Sequence, residues 1–242
     1  MTKIRKTYTI IFFFRCLVFA ACLFVFVLRP DEFDILQGRN FFRRFSAFHL
    51  LWGIWVVDMV LQLVPVKDKV ALGSQKLFRQ RFKPIRGKIN YQALRQYVIS
   101  TTKAAYKVMI VWIFFLAALG IVHHIGVISD NMLFLLSAAF YVGDLVCVLV
   151  WCPFRLVVQS RCCTTCRIFN WDHLFMFTPM MFIKGFFSIS LLILALVVWL
   201  TWEMCVMLYP ERFWEHSNVA LRCSECTDML CIQYCKKLRR QA

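Results

Sequence analysis

Four apolar blocks, each about as long as a membrane-spanning helix, constrain this chain more than any other feature of its sequence. A helix needs roughly 20 apolar residues to cross a hydrocarbon layer about 30 Å thick. The blocks cover residues 8–28, 45–66, 106–128 and 132–151. Because 61% of the residues are hydrophobic and 25 are phenylalanine, we expect an all-α, multi-pass transmembrane helical bundle that forms a single membrane domain over residues 1–242.

A fifth apolar region, residues 171–209, is too long for one span and short for two. We expect a short or re-entrant arm over residues 171–185, a turn at Lys184-Gly185, and a span over residues 186–209. The alternative is that residues 171–185 lie on the inner surface, which leaves five spans and places the C-terminus outside the cell.

The distribution of basic residues predicts the orientation of these spans. The segment of residues 67–105 is rich in lysine and arginine and contains a single acid, Asp68, so the positive-inside rule predicts a basic cytoplasmic loop. Two spans separate this loop from the N-terminus, whose own basic residues agree with a cytoplasmic position. Basic residues at 236–240 favour a cytoplasmic C-terminus. We therefore expect a protein of the cytoplasmic membrane, inner or plasma.

The excess of basic residues also predicts the kind of partner. Lysine and arginine number 29 against 13 acids, a formal charge of +16, and much of it lies between apolar blocks. This pattern favours the lipid bilayer and anionic lipids over nucleic acid. Within residues 88–104 the apolar residues recur at helical spacing. This segment is expected either to lie along the inner leaflet as a helix or to form a solvated basic loop. Arg155, Arg161 and Arg167 surround the first cysteine pair, and we expect them to face anionic lipid headgroups or an anionic substrate.

Three ionisable residues lie inside the apolar blocks at one depth. Arg15, Asp58 and Asp144 are all about 20 Å below the outer surface at 1.5 Å per helical residue. Buried charges in lipid are costly unless paired, so we expect Arg15 to face both carboxylates. Two interpretations stay open: an ion-paired lock that fixes helix register, and a proton or cation relay.

Histidines near the outer ends of two blocks share a depth as well. His49 lies near the start of the second block, and His123 and His124 lie near the end of the third. Facing imidazoles are the arrangement that a bis-histidine haem or a small metal site needs. The other interpretation is that these are hydrogen-bonded interface residues.

Two C-x2-C pairs predict a cysteine-rich metal-binding module on the cytoplasmic face, formed by residues 159–170 and 221–236. Cys163 and Cys166 form the first pair, and Cys223 and Cys226 form the second. Four thiolates complete a zinc site or hold an iron–sulfur cluster, and the spacing favours neither metal. A tail outside the cell would instead favour disulfides. Further candidate ligands are Cys162, Cys231 and Cys235.

Asp172 and His173 follow the first cysteine pair at the predicted membrane surface. His173 is a candidate metal ligand or second-shell donor, with Asp172 orienting its ring. The alternative is that Asp172 caps the helix that follows.

Upstream, CVLVWCPFR places Cys147 and Cys152-Pro153 at the cytoplasmic end of the fourth block. These residues resemble the Cys-Pro motif at the helix ends of membrane-bound polyferredoxin subunits, and the resemblance implies electron transfer to or from quinones. Four residues separate the two cysteines here where that family has three, and the sequence lacks that family's duplicated ferredoxin signatures.

The sequence thus favours a membrane protein with a cysteine-ligated metal centre, iron–sulfur or zinc, that serves membrane redox or electron transfer as a component of a membrane oxidoreductase. A redox protein or a quinone is the expected partner. The alternative is a transporter or membrane scaffold with a structural four-cysteine zinc site and an intramembrane Arg/Asp cluster. No phosphate-binding loop and no G-x-S-x-G or H-E-x-x-H motif occurs in the sequence.

Overall fold

The computed structural model describes residues 2–66, 72–158, 163–226 and 228–230. Within these ranges the chain forms α-helices and short 3-10 turns, and no strand occurs there. This confirms the all-α class. The helices are α1 (Lys3–Leu28), α2 (Ala47–Leu63), α3 (Leu72–Gln75), α4 (Tyr91–His124), α5 (Asp130–Leu149), α6 (Arg155–Val158), α7 (Asp172–Phe177) and α8 (Phe186–Leu208).

Four of the described helices, α1, α4, α5 and α8, are long and apolar enough to cross a membrane. Helix α2 is also apolar but has only 17 residues, which is about 25 Å of helix. Helix α2 therefore sits at the lower limit for a complete span.

Polar residues set the start of three of these helices. Ser46 and His49 form a reciprocal capping box at the start of α2. The side chain of Asn90 accepts from the amide of Ala93 at 3.0 Å at the start of α4, and Ser129 caps α5 in the same way. These side chains satisfy amides that lack a partner within the helix.

Helix α4 is longer than the block of residues 106–128 that predicted it. It has 34 residues, about 50 Å of helix, which is roughly 20 Å more than the thickness of a hydrocarbon layer, about 30 Å. The segment of residues 88–104 is therefore neither a separate surface helix nor a loop, because from Tyr91 onward it continues directly into α4.

The bundle has two chemically different ends. Helix α1 runs antiparallel to α5, since Ile4 and Tyr8 near the start of α1 pack on Val148 and Leu149 near the end of α5. We call the end where α1 and α4 begin, and where α2, α5 and α8 finish, the basic end. It carries the exposed side chains of Arg79, Lys83, Arg86, Lys88 and Arg95.

The arm of residues 172–185 packs against both α5 and α8. It begins beside Gln62, near the end of α2. It consists of α7 and a 3-10 turn, Thr178–Phe182, and its Met176, Phe177 and Met180 are almost fully buried. A broken, buried segment thus fills the centre of the bundle, where its side chains can face the charges and the cavity described below.

A glycine allows the chain to turn back at the far end of the arm. Gly38 donates its amide to the carbonyl of Lys184 at 2.7 Å, and Phe186 donates to the carbonyl of Gly38 at 3.2 Å. A Cβ atom on Gly185 would lie 1.8 Å from the carbonyl oxygen of Leu36. Only glycine fits there, and α8 starts at the next residue.

Loops cover the basic end and bring the C-terminal part of the described chain back to α1. Val219 donates its amide to the carbonyl of Lys83 at 2.8 Å. Asp228 accepts from the amide of Leu72 at 2.7 Å through its carboxylate, and its carbonyl accepts from the Thr2 hydroxyl at 2.9 Å. Residues 228–230 therefore lie against the start of α1.

Candidate functional site

Arg15 is the centre of a buried charge network. Its Nη1 donates to Asp144 Oδ2 at 2.8 Å, and its Nη2 donates to Asp58 Oδ2 at 3.0 Å. These are the contacts that the shared depth of the three residues predicts. Nη1 also donates to the carbonyl of Tyr141 at 2.8 Å, and the guanidinium carbon lies 3.9 Å from the centre of the Tyr141 ring. Arg15 is only 5% exposed.

The network continues into the arm through His173. His173 Nε2 lies 3.5 Å from Asp58 Oδ2, and Nδ1 lies 3.0 Å from Asp172 Oδ1. Gln62 Nε2 donates to Asp172 Oδ2 at 3.1 Å. Asp172 therefore pairs with the His173 ring, as a residue that orients an imidazole would. It also accepts from the amide of His173 at 2.7 Å, although Asp172 is the first residue of α7 and the N-cap position is held by Trp171, whose side chain makes no capping hydrogen bond.

A second buried ion pair joins Arg167 to Glu203 near the end of α8. Arg167 Nε donates to Glu203 Oε1 at 3.3 Å, and Nη1 donates to Thr102 Oγ1 of α4 at 2.7 Å. Trp171 Nε1 also donates to Glu203 Oε1, at 2.7 Å. The expectation that Arg167 faces lipid headgroups is wrong, because its side chain is buried on a carboxylate. A lone acid in the apolar block of residues 186–209 was the sequence signal for this pair.

A cavity of about 230 Å³ opens beside the charge network. Asp144 of α5 and Asp172 of α7 contribute to its wall, so the cavity contacts the network directly. Gly143 also lines it, and a Cβ atom on Gly143 would have no neighbour within 4 Å. The absence of a side chain at Gly143 therefore leaves open space in the cavity. Glycine often allows two helices to pack closely, but no neighbouring helix of the described chain uses that space here.

Four cysteines from two separate stretches of the chain line the same cavity: Cys147, Cys152, Cys163 and Cys166. The side chains of Cys147 and Cys152 are in hydrogen-bond contact, and Cys163 lines the same cavity wall. The arrangement depends on the fold, since the turn after α5 and the first C-x2-C pair meet only when the chain is folded.

Lys76 holds the loop of the first C-x2-C pair. Its Nζ donates to the carbonyl of Thr164 at 3.0 Å and to the carbonyl of Cys166 at 3.3 Å. Burial raises the pKa of the Cys166 thiol, and the ammonium of Lys76 and the amide of Phe169 partly oppose that rise. Lys76 is 1% exposed, so this member of the predicted basic loop is not available to lipid.

The second C-x2-C pair lies at the surface of the described chain. Cys223 is exposed and Cys226 is half-buried. Among the residues the structure describes, no three His, Cys, Asp or Glu side chains come together as a metal site requires. The predicted ligands Cys162, Cys231 and Cys235 lie outside the described residues. The metal module is therefore not part of the described fold.

Of the three histidines that predicted haem or metal binding, His49 and His123 have other contacts within the described residues. His49 Nδ1 accepts from the amide of Ser46 at 3.1 Å, and its Nε2 lies 2.7 Å from the carbonyl oxygen of Phe41. Both ring nitrogens of His49 are thus engaged in its own loop, and neither presents a lone pair to haem iron. His123 Nε2 lies 2.8 Å from Asp130 Oδ1, and His124 is exposed. These contacts give the predicted haem no support.

Comparison with protein-family models, curated proteins and solved structures finds no match to this chain. The fold and the site therefore define only the class of the protein. It is an all-helical protein with four helices of membrane-spanning length in its described part. Within that class, its distinguishing feature is a buried charge network beside a cysteine-lined cavity.

Proposed function

We propose that this is an integral membrane protein whose cysteines carry out membrane redox chemistry at the cytoplasmic face. The observation that supports this most directly is that Cys147, Cys152, Cys163 and Cys166 line one cavity. Cysteine side chains transfer electrons in two ways: as a dithiol that forms a disulfide, and as ligands of an iron–sulfur cluster. Both need several thiols close together.

In this proposal Cys163, Cys166, Cys223 and Cys226 hold the metal, with Cys162, Cys231 and Cys235 as further ligands. The contacts of Lys76 support a pre-positioned first pair, because they fix the loop that carries Cys163 and Cys166. The attachment of Asp228 to α1 and α3 supports a tail that returns to the same end of the bundle. Leu230 packs with Val148, a residue of the cavity wall, and Cys231 is the next residue in the chain.

The proposed orientation places the basic end, the N-terminus and the C-terminus in the cytoplasm. The exposed basic residues of that end support it through the positive-inside rule, and they would contact anionic lipids. A reducing cytoplasm keeps the thiols available for metal or for electron exchange with a redox protein or quinone. Labelling of Cys223 from outside intact cells by a membrane-impermeant maleimide would reject this orientation.

Metal content and an absorption spectrum of the purified protein test the redox function. Iron with acid-labile sulfide, or a pair of thiols that oxidises reversibly without metal, is the expected result. A colourless protein with one zinc per chain and no reversible thiol oxidation would contradict it, because zinc has no redox chemistry.

A second candidate function is favoured by the charge network. A membrane transporter, or a scaffold with a structural zinc site, would use Arg15, Asp58 and Asp144 to line a route or to lock the bundle. Ionisable groups inside a membrane are costly and often functional, and here they contact a cavity large enough for a ligand. Two results together would favour transport over redox chemistry. One is a content of one zinc per chain, and the other is uptake of a cation into vesicles by the wild-type protein but not by Asp144→Asn.

A further inference from the structure

The walls of the cavity are suited to a flat or bulky apolar group. Trp112, Phe140, Phe154 and Phe175 all line it, and the rings of Trp112 and Phe140 are 5.3 Å apart at their centres. A dry cavity of about 150 Å³ is enough to bind benzene. The cavity here, about 230 Å³, therefore has room for one aromatic ring with a small charged group attached to it.

Within the charge network itself, the carboxylates outnumber the cations among the described side chains. Asp58, Asp144 and Asp172 are three carboxylates, and they face two groups that carry positive charge, Arg15 and His173. With all three carboxylates ionised and His173 protonated, the described side chains of this network carry one negative charge in excess. Two of its carboxylates, Asp144 and Asp172, line the cavity. An uncompensated charge in a poorly solvated site is costly, so a cation in the cavity would be stabilised.

The remaining features of the cavity select the kind of cation. An anion would meet two carboxylates and no cationic side chain in the described wall. A small divalent cation needs several oxygen ligands, and no set of three candidate ligands gathers within the described residues. Aromatic rings instead stabilise a large, weakly hydrated cation through their faces.

We infer that this cavity binds a lipophilic organic cation with a single positive charge, such as an arylalkyl ammonium. Its charged group lies toward Asp144 and Asp172, and its apolar part lies against the aromatic walls. Residues of α4, α5 and α7 line the cavity, and α4 and α5 are long and apolar enough to cross a membrane, so we expect a ligand of this class to enter from the bilayer. The inference rests on the transport candidate, for which it names the substrate class, and it does not depend on the redox proposal.

A pair of ligands that differ only in charge tests the inference. Benzyltrimethylammonium and its carbon analogue neopentylbenzene have the same shape, and only the first is a cation. Titration calorimetry of the full chain in lipid nanodiscs, with empty nanodiscs subtracted, measures both. We expect the cation to bind at least tenfold more tightly. Equal binding, or tighter binding of neopentylbenzene, would overturn the inference and indicate a site for a neutral lipid or ring.

Two substitutions locate the site. Gly143→Leu places a side chain in the open space of the cavity and should abolish binding of both ligands, whereas Gly143→Ala, the matched control, should retain it. Asp172→Asn should reduce the preference for the cation about tenfold, and Asp34→Asn, at an exposed carboxylate outside the network, should leave it unchanged.

If Gly143→Leu binds the cation as tightly as the wild-type protein does, the site lies elsewhere and the inference is overturned. If Asp172→Asn fails to fold, Gly143→Leu and the ligand pair still decide the outcome. If the cation binds by these criteria but is not taken up into vesicles, the cavity site is upheld and transport is rejected. Failure of the cavity site and failure of the transport function can therefore be told apart. None of these measurements requires a metal or a redox-active thiol.

Discussion

Arg15 Nη1 lies 2.8 Å from Asp144 Oδ2, although 129 positions of the chain separate the two residues. The same guanidinium holds Asp58 through its other terminal nitrogen. One cation from α1 thus ties together α2 and α5. Because the pairing spans three helices, its removal should affect the whole bundle rather than one contact.

Removal of the carboxylates should have a strongly non-additive effect on stability. Asp58→Asn and Asp144→Asn should each lower the free energy of unfolding by only about 1 kcal/mol, because Arg15 keeps the other carboxylate. The double variant leaves Arg15 buried without either carboxylate and should cost about 3–5 kcal/mol. Reversible unfolding in SDS measures all three.

The control for this cycle is Asp34→Asn, at an exposed carboxylate, which should change stability by less than about 0.5 kcal/mol. Unchanged stability in both single variants and in the double variant would contradict the ion-paired network.

The Arg167–Glu203 pair should respond differently when one partner or both partners are removed. Arg167→Leu or Glu203→Leu alone leaves a buried charge and should cost about 3–5 kcal/mol. The double variant leaves no unpaired charge and should recover at least half of that loss, as replaced buried ion pairs often do. Thermal unfolding in detergent measures the three variants. Losses in the single variants that simply add in the double variant would show that the two side chains do not interact.

The sequence predicted the Arg15 contacts because depth along a helix follows from residue number alone. It did not predict Glu203 as the partner of Arg167, or Gln62 beside Asp172. Those contacts depend on how each helix is rotated about its axis. Helices that are apolar on all sides carry little periodic signal for rotation.

The cavity was equally hidden in the sequence, because it forms where two stretches meet. Cys147 and Cys152 belong to a stretch that resembles a Cys-Pro motif, and Cys163 and Cys166 form a C-x2-C pair, but only the fold brings the two pairs to one wall. Lys76 was counted as one of many basic residues in a loop. Its burial depends on carbonyl groups of the Cys163–Cys166 loop, which a charge count cannot identify.

Gly185→Ala should disrupt the turn between the arm and α8. The added Cβ would lie 1.8 Å from the carbonyl oxygen of Leu36, a backbone atom that cannot rotate away. We expect a loss of more than about 2 kcal/mol. Gly53→Ala in α2 is the matched control, because no atom lies within 4 Å of its new Cβ and alanine favours helix by about 1 kcal/mol. Equal melting temperatures for both variants would contradict the close contact at Gly185.

Alkylation of Cys166 should depend on pH in a way that reflects its burial. Iodoacetamide reacts with the thiolate, and burial raises the pKa of this thiol. In the folded, chelator-treated protein, modification of Cys166 should therefore become fast only at higher pH than in the denatured protein. Mass spectrometry of the Cys166 peptide, with the exposed Cys223 as an internal reference, measures the rates. The same pH profile in both states would show that the thiol is not buried.

The central claim is that the cysteines at the basic end form a redox centre, and a potentiometric titration of the purified protein, followed by absorbance and by thiol content, tests it most directly. We predict a reversible redox couple that is lost in Cys163→Ser/Cys166→Ser and retained in Cys16→Ser and Cys205→Ser, whose cysteines lie outside the cavity wall. No reversible couple in the wild-type protein, or a couple that survives unchanged in Cys163→Ser/Cys166→Ser, would contradict the account.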